Sequence, residues 1–294
     1  MSESDPRTLS GRVAVVTGAT SGIGREVARG LALLGATTVV VGRGPDRAAS
    51  VAAEIARTTG NLQVESLQVT DLAEMGDVRE LAGALLERYP SLHVLVNNAG
   101  GFFWRREVTT DGLERTFALN VLAPYLLTTL LASRLIASAP ARVVNVASTA
   151  HRGARVDLSD LESTRRYSGY RVYGASKLEL IWLSREFARR FQGTRVTVNA
   201  LHPGYIRSGF GLNNGGGIAF AMRILARLFG KSVARGAETP LYVASAPELS
   251  SVTGAYFSNR SLTPGSMESQ DLAKARAFFD ACARVSGEPP LASP

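Results

Sequence analysis

Val13-Ala14-Val15-Val16-Thr17-Gly18-Ala19-Thr20-Ser21-Gly22-Ile23-Gly24 is the stretch from which the rest of the chain can be read. Its first four residues are apolar at every position, as a strand covered by helices on both faces must be. The run breaks at a glycine-spaced turn, and an amphipathic helical pattern, Ile23–Leu34, follows at once. Glycines between a strand and a helix let backbone N–H groups come close to an anion at the helix N-terminus. Gly24 also suits close helix–strand packing. Gly18, Thr20, Ser21, Gly22, Ile23 and Gly24 are therefore expected to cradle a pyrophosphate. At the end of the next strand an acidic residue would bind a free ribose 2′-hydroxyl. This chain has Gly42-Arg43 there. A guanidinium suits a 2′-phosphate and can stack on adenine, so NADP(H) is the expected dinucleotide.

Working outward, β-branched runs recur at Thr37–Val41, Gln63–Gln68, Val94–Asn97, Val143–Ala147 and Val196–Ala200. Helical patterns lie between them at Asp46–Thr59, Glu74–Arg88, Gly112–Ser138 and Tyr173–Phe191. This alternation predicts a single-domain Rossmann-type α/β fold, a doubly wound parallel sheet with helices on both faces. The domain is expected over 10–284, between a flexible N-terminus at 1–9 and a flexible Pro-rich tail at 285–294. Residues 213–231 interrupt the alternation with three glycines and then an apolar helical pattern. They read either as an ordinary surface helix or as a lid over a substrate pocket.

Composition narrows the function. One cysteine, Cys282, excludes an internal disulfide and fits a reducing compartment. The three histidines show no ligand spacing, so no metal is expected. The net charge of +8 is carried by scattered arginines rather than one basic stripe, which argues against nucleic acid. Met1–Leu9 has no apolar core for a signal peptide, and the longest apolar stretch, Leu119–Ala137, contains Asn120, Pro124 and Arg134. No membrane span and a cytoplasmic location are expected.

Tyr173 and Lys177 stand four apart in a helical pattern and so share a face. A phenol titrates near ~10, and a neighbouring ammonium, with the positive nicotinamide of the oxidised cofactor, is expected to favour its phenolate and make it a usable general base. Ser148 follows the fifth strand, at the sheet edge where open α/β folds place ligands, and can bond a substrate oxygen. Asn120 falls inside an apolar helical run, where a buried amide needs partners. Phe102, Phe103 and Trp104, with Tyr205 and Phe210, are apolar side chains at loop ends that could line a pocket for a lipophilic compound or pack in the core.

Together, Thr17-Gly18-x-x-x-Gly22-Ile23-Gly24, Asp71-Leu72, Asn97-Asn98-Ala99-Gly100, Asn120, Ser148, Tyr173-Gly174-Ala175-Ser176-Lys177 and Pro203-Gly204 resemble the short-chain dehydrogenase/reductase family from Gly11 to about Arg284. His151, the insertion Arg152–Arg171, Leu201-His202-Pro203-Gly204 and Gly254-Ala255-Tyr256-Phe257 resemble its retinol dehydrogenase-like branch. That branch often carries an N-terminal membrane anchor, for which this sequence shows no apolar stretch. The resemblance implies an NADP-dependent oxidoreductase interconverting a lipophilic alcohol and its aldehyde or ketone. It implies Asn120, Ser148, Tyr173 and Lys177 as catalytic residues, with Lys177 on the nicotinamide ribose and Asn120 holding a water.

The same resemblance puts Asp71 and Leu72 near adenine, with Asp71 alternatively capping a helix that begins near Leu72. It puts Asn97, Ala99 and Gly100 along the adenosine ribose, and Asn98 as a tie within the sheet. Pro203, Gly204, Ile206 and Ser208 would hold the carboxamide. Family members often pair through the helices equivalent to Gly112–Ser138 and Tyr173–Phe191, implying a homodimer or homotetramer. Light-dependent and polyketide-type reductases share much of the pattern. From another class, a non-catalytic NADP(H)-binding sensor on the same fold would typically lack the tyrosine or lysine, and this chain retains both.

Overall fold

The computed structural model describes residues 8–204 and 232–291. Tyr205, Ile206, Ser208, Phe210 and the 213–231 segment lie outside the described residues. The chain alternates β1 (Val13–Thr17), α1 (Gly22–Leu33), β2 (Thr37–Arg43), α2 (Pro45–Thr59), β3 (Val64–Val69), α3 (Met75–Arg88) and β4 (Val94–Asn97). After β4 come α4 (Arg115–Phe117), a π-helical turn at Ala118–Leu122, α5 (Ala123–Leu130) and α6 (Ala132–Ala137). Then follow β5 (Ala141–Val146), α7 (Gly169–Arg190), β6 (Val196–His202), α8 (Val233–Ser245), β7 (Tyr256–Ser258), β8 (Ser261–Leu262) and α9 (Leu272–Ser286).

The strands form one sheet in the order β3-β2-β1-β4-β5-β6-β7-β8. All neighbouring pairs from β3 to β7 are parallel, and only β8 runs antiparallel, against β7. The order reverses direction between β1 and β4, the switch point where such sheets open a crevice for ligands. Side chains alternate across the sheet. Val13 and Val15 join a core with α3, α5, α7 and α9, whereas Ala14 and Val16 join a second core with α1, α2 and α8. Burial of every residue of β1 thus follows from its two covered faces.

The six expected strands are present, but two more, β7 and β8, complete the edge. They have 3 and 2 residues, too few to show a period, and their turn runs through Asn259 and Arg260 at positive φ. The helix expected over Gly112–Ser138 is interrupted instead. It starts at Arg115, widens to the π-helical turn at Ala118–Leu122, and breaks at Leu131. The catalytic-motif helix begins earlier than expected, at Gly169, which places Tyr173 in its second turn.

The first and last stretches of the described residues make contacts with the domain. Leu9 donates its N–H to the Leu34 carbonyl at 2.9 Å and packs on the second core. Beyond α9, the Tyr125 hydroxyl donates to the Glu288 carbonyl at 3.4 Å, and Arg190 bonds the Leu291 carbonyl. Phe278 of α9 packs on Phe117 and Trp182, and Phe279 packs on Tyr125 and Phe187. Part of the surface of α5 and α7, through which pairing was expected, is therefore covered by the chain's own last helix. Among the described residues, no helix is long and apolar enough to cross a membrane.

Candidate active site

The first half of the sheet's carboxyl edge is built from backbone. Ser21 precedes α1 without capping it, and the first turn of α1 holds no acidic side chain. Its N–H groups and partial positive charge are thus left to an external anion. Gly24 sits where a Cβ would stand 2.6 Å from the Gly18 carbonyl oxygen and 2.3 Å from Asn98 Nδ2. That amide donates to the Thr17 carbonyl at 2.9 Å and to the Gly18 carbonyl at 3.3 Å. Thr17 Oγ1 accepts from the N–H groups of Asn98 and Ala99, each at 3.1 Å. Asn98 therefore stitches β1 to β4, as the sequence pattern led us to expect. The turn also bonds β2, through Ala19 N–H to the Val41 carbonyl at 3.0 Å. Arg43, two residues on from Val41, is exposed and has no ion pair among the described residues. An uncapped helix start, a glycine cradle and an unpaired guanidinium fit a phosphorylated dinucleotide.

Several residues assigned to the adenosine side have side chains engaged elsewhere. Asn97 is buried and donates to Asn145 Oδ1 at 2.8 Å and to Thr128 Oγ1 at 3.3 Å. Only its backbone remains for a ribose. Leu72 is a core side chain. Asp71 Oδ1 accepts from Ala73 N–H at 3.0 Å, and its other oxygen pairs with Arg115. It organises the turn before α3 rather than capping that helix, which begins at Met75.

The second half of the edge is built from buried side chains. Lys177 is buried on α7 and its Nζ donates to the Val146 carbonyl, at the end of β5, at 3.1 Å. Asn120 is wholly buried in the π-helical turn. Its Oδ1 accepts from Gly101 N–H at 2.8 Å, while Nδ2 donates to the Gly101 carbonyl and to Ser176 Oγ, both at 3.0 Å. Ser176 Oγ donates to the Tyr173 carbonyl at 2.8 Å, so a chain of bonds joins Asn120 to the tyrosine's backbone. A Cβ at Gly100 would lie 3.1 Å from Asn120 Oδ1 and 3.4 Å from Lys177 Nζ, which brings the β4 turn against both. A π-helical turn often marks a functional position. Here it carries the one polar side chain of that turn.

The Ser148 hydroxyl lies on Tyr173's side of the site and favours its ionised form, and Ser148 Oγ accepts from Ala150 N–H at 3.2 Å. The Lys177 ammonium stands 5.6 Å from the centroid of the tyrosine ring. In the protein without cofactor, burial pushes Tyr173 up to about 12, only partly offset by the Ser148 hydroxyl, and burial pulls Lys177 down to about 8. Desolvation disfavours the charged form of each, so Tyr173 favours its neutral form.

Phe102 meets the Tyr173 ring edge-on with centroids 5.5 Å apart, and Trp104 meets Phe102 at 4.7 Å. Phe103, grouped with them from the sequence, turns away: its ring faces the Arg115 guanidinium at 5.5 Å. Pro203 and Gly204 follow β6, whose last residue, His202, accepts from Thr149 N–H at 3.3 Å. Ser176 and Ser266, which the sequence reading assigned no role, both bond residues of this region. Ser176 was detectable as the i+3 neighbour of Tyr173, whereas Ser266 has no sequence signal. Among the described residues no cluster of His, Cys, Asp and Glu could hold a metal ion.

Residues 12–214 match the model of a family described as short chain dehydrogenase. The chain is 40% identical over 281 residues to a Streptomyces sp. (strain C5) protein whose name gives it as a daunorubicin C-13 ketoreductase, DnrU, covering 95% of this chain and 94% of that one. It is 41% identical over 254 residues to retinol dehydrogenase 12 of Mus musculus, covering 85% and 78%. A crystal structure of a short chain dehydrogenase from Burkholderia cenocepacia J2315 in complex with NADP superposes with a TM-score of 0.65 at 27% identity, covering 85% and 96%. An uncharacterised protein from Mycobacterium paratuberculosis superposes with a TM-score of 0.75 at 28% identity, covering 96% of each chain.

Proposed function

The chain belongs to the short-chain dehydrogenase family, and from that premise we propose that it interconverts a bulky lipophilic ketone or aldehyde and its alcohol, with Tyr173 carrying the proton. In reaction class it is an NADP-dependent oxidoreductase acting on CH–OH groups. The observation that carries the finer reading is Lys177, buried with Nζ 5.6 Å from the Tyr173 ring centroid, with Asn120 buried beside it and Ser148 lowering the phenol's pKa.

NADP(H), when bound, supplies or takes the hydride and, in its oxidised form, brings a positive charge. Gly18, Thr20, Ser21, Gly22, Ile23 and Gly24 would hold its pyrophosphate, Arg43 its 2′-phosphate, and Lys177 its nicotinamide ribose. The backbone along Asp71, Leu72, Asn97, Ala99 and Gly100 would follow the adenosine. Pro203 and Gly204, with Ile206 and Ser208 outside the described residues, would hold the carboxamide.

For reduction, Ser148 and Tyr173 take the carbonyl oxygen between their two hydroxyls. As negative charge gathers on that oxygen, Ser148 donates a hydrogen bond and Tyr173 transfers its proton. A phenol held near 12 is a poor spontaneous donor, which keeps the proton in place until the oxygen becomes basic. For oxidation the same pair runs in reverse, and Tyr173 must first lose its proton. Asn120 and Ser176 keep α7 in register with the β4 turn, so that the hydroxyls do not drift. Phe102 and Trp104 form an apolar aromatic wall beside the phenol that suits a large lipophilic substrate. The non-catalytic sensor gains no support, because Tyr173, Lys177, Ser148 and Asn120 are all retained and Lys177 stands beside the Tyr173 ring.

The test is NADPH oxidation over a panel of aromatic ketones, polyene aldehydes, steroids and quinones, with wild type and Tyr173→Phe. Turnover should fall by more than about a hundredfold in the variant, with NADPH affinity little changed. Near-normal turnover in Tyr173→Phe would remove the tyrosine from the mechanism.

A further inference from the structure

A hydroxyl that stabilises charge on a substrate oxygen works only where its own oxygen is held to within a fraction of an ångström. Ser148 is held through its carbonyl. His151, three residues on and wholly buried, places Nδ1 2.6 Å from the Ser148 carbonyl oxygen. The backbone N–H of His151 donates to the same oxygen at 3.2 Å. On the other side of the ring, Nε2 accepts from the N–H of Ser266 at 3.2 Å.

A carbonyl can only accept and a backbone N–H can only donate. The two partners therefore demand one and the same tautomer, with the proton on Nδ1 and a lone pair on Nε2. Burial lowers the ring's pKa, which favours that neutral form, and the Tyr256 ring meets it edge-on at 4.9 Å. An imidazolium would set a second N–H against the N–H of Ser266.

The segment that supplies Ser266 is itself anchored. Ser269 Oγ donates to the Ser266 carbonyl at 2.7 Å, and Trp182 Nε1 on α7 donates to the Glu268 carbonyl at 2.9 Å. A Cβ at Gly265 would stand 2.1 Å from Ser269 Oγ, so a larger residue there would displace that hydroxyl. Hydrogen bonds, joined by the short backbone of the 264–269 segment, thus link α7 through His151 to the turn bearing Ser148.

We propose that His151 is a positioning residue for the reaction: by tying the Ser148 carbonyl to the Ser266 N–H, it makes the C-terminal segment 264–269 set the orientation of the Ser148 hydroxyl. The inference rests on the reading of Ser148 as the group that holds the substrate oxygen. It deepens that reading by giving catalytic consequence to a segment 115 positions further along the chain.

Two substitutions separate the ring's two bonds. Asparagine can put an amide N–H where Nδ1–H stands and still donate to Ser148, but it does not reach Ser266. Glutamine can put an amide oxygen where Nε2 stands and still accept from Ser266, but it offers nothing to Ser148. We expect His151→Asn to keep kcat within about threefold of wild type and His151→Gln to lose kcat on the order of ten- to a hundredfold. Both should bind NADPH, followed by its fluorescence, as wild type does, and both should unfold at lower temperature. In ¹⁵N-histidine spectra the wild-type resonances lost in both variants should be those of a neutral ring protonated at Nδ1. Equal loss of kcat in the two variants would make His151 merely structural, and unchanged kcat in His151→Gln would remove it from the mechanism. A different proton position in the spectra would also overturn the assignment. Ser148→Ala is the control: if it turns over normally, the reading of Ser148 fails instead, whatever the His151 variants do.

Discussion

Along the carboxyl edge of the sheet, the β1–β3 side presents glycine backbone, an uncapped helix start and the exposed Arg43. The β4–β6 side presents buried polar side chains: Asn120, Ser176, Lys177 and His151. The first side works by having few atoms in the way, so added bulk harms it and polarity changes matter little. The second works by holding polar groups out of water in satisfied networks, so lost hydrogen bonds harm it and the cost scales with desolvation. Its groups carry shifted pKa values for the same reason.

The contrast predicts unequal sensitivities. Gly24→Ala should be the most damaging change on the backbone side, although alanine favours a helix by about 1 kcal/mol. Its methyl would meet the Gly18 carbonyl at 2.6 Å and displace the Asn98 tie, a clash of overpacking type costing about 1–3 kcal/mol. The expected outcome is a lowered unfolding midpoint and at least about tenfold weaker NADPH binding in a fluorescence titration. Unchanged binding would mean that the cradle can flex, and the contrast would lose its first half.

Arg43→Leu should be milder because the guanidinium is exposed. We expect about a tenfold rise in KM for NADPH, equivalent to ~1.4 kcal/mol, with KM for NADH nearly unchanged. Equal effects on the two cofactors would detach Arg43 from the 2′-phosphate.

Glu179→Gln should be smallest in size but distinctive in its pH dependence. Burial pushes the Glu179 carboxyl up to about 8, with Glu114 adding repulsion. Unfolded, it titrates near ~4.3. Between these values the folded protein binds the extra proton, so wild-type stability falls as pH rises through that window. Glutamine lacks this titration. The variant should gain about 1–2 kcal/mol over wild type between pH 5 and pH 8, read from urea unfolding at both values. A pH-independent difference would show that the carboxyl is better solvated than its burial implies.

Particular elements show what could be read in advance. The glycine turn, the six longer strands and the order of the motifs were legible because each depends on local composition or a short period. The interrupted helix around Asn120 was not. A π-helical turn changes the backbone register without changing the apolar pattern that marks a helix, so Phe117–Leu131 looks continuous in the sequence. The weight of desolvation at Tyr173 was also hidden. Four-residue spacing reveals that Lys177 is near, but not that both groups are desolvated. Phe102 and Phe103 are adjacent and alike, yet one meets the tyrosine and the other faces Arg115.

From the chain of residues alone come the α/β alternation, the phosphate-binding turn, the preference expected from Arg43 and the shared face of Tyr173 and Lys177, while the grouping of these with Asn120 and Ser148 is what the family resemblance implies. The residue patterns are matters of short range, where the backbone's own periodicity decides who faces whom. Tertiary structure alone decided which side chains are stripped of water, and it alone joined His151 to Ser266. Desolvation and long-range hydrogen bonds depend on what arrives from distant segments, and no local pattern records that arrival.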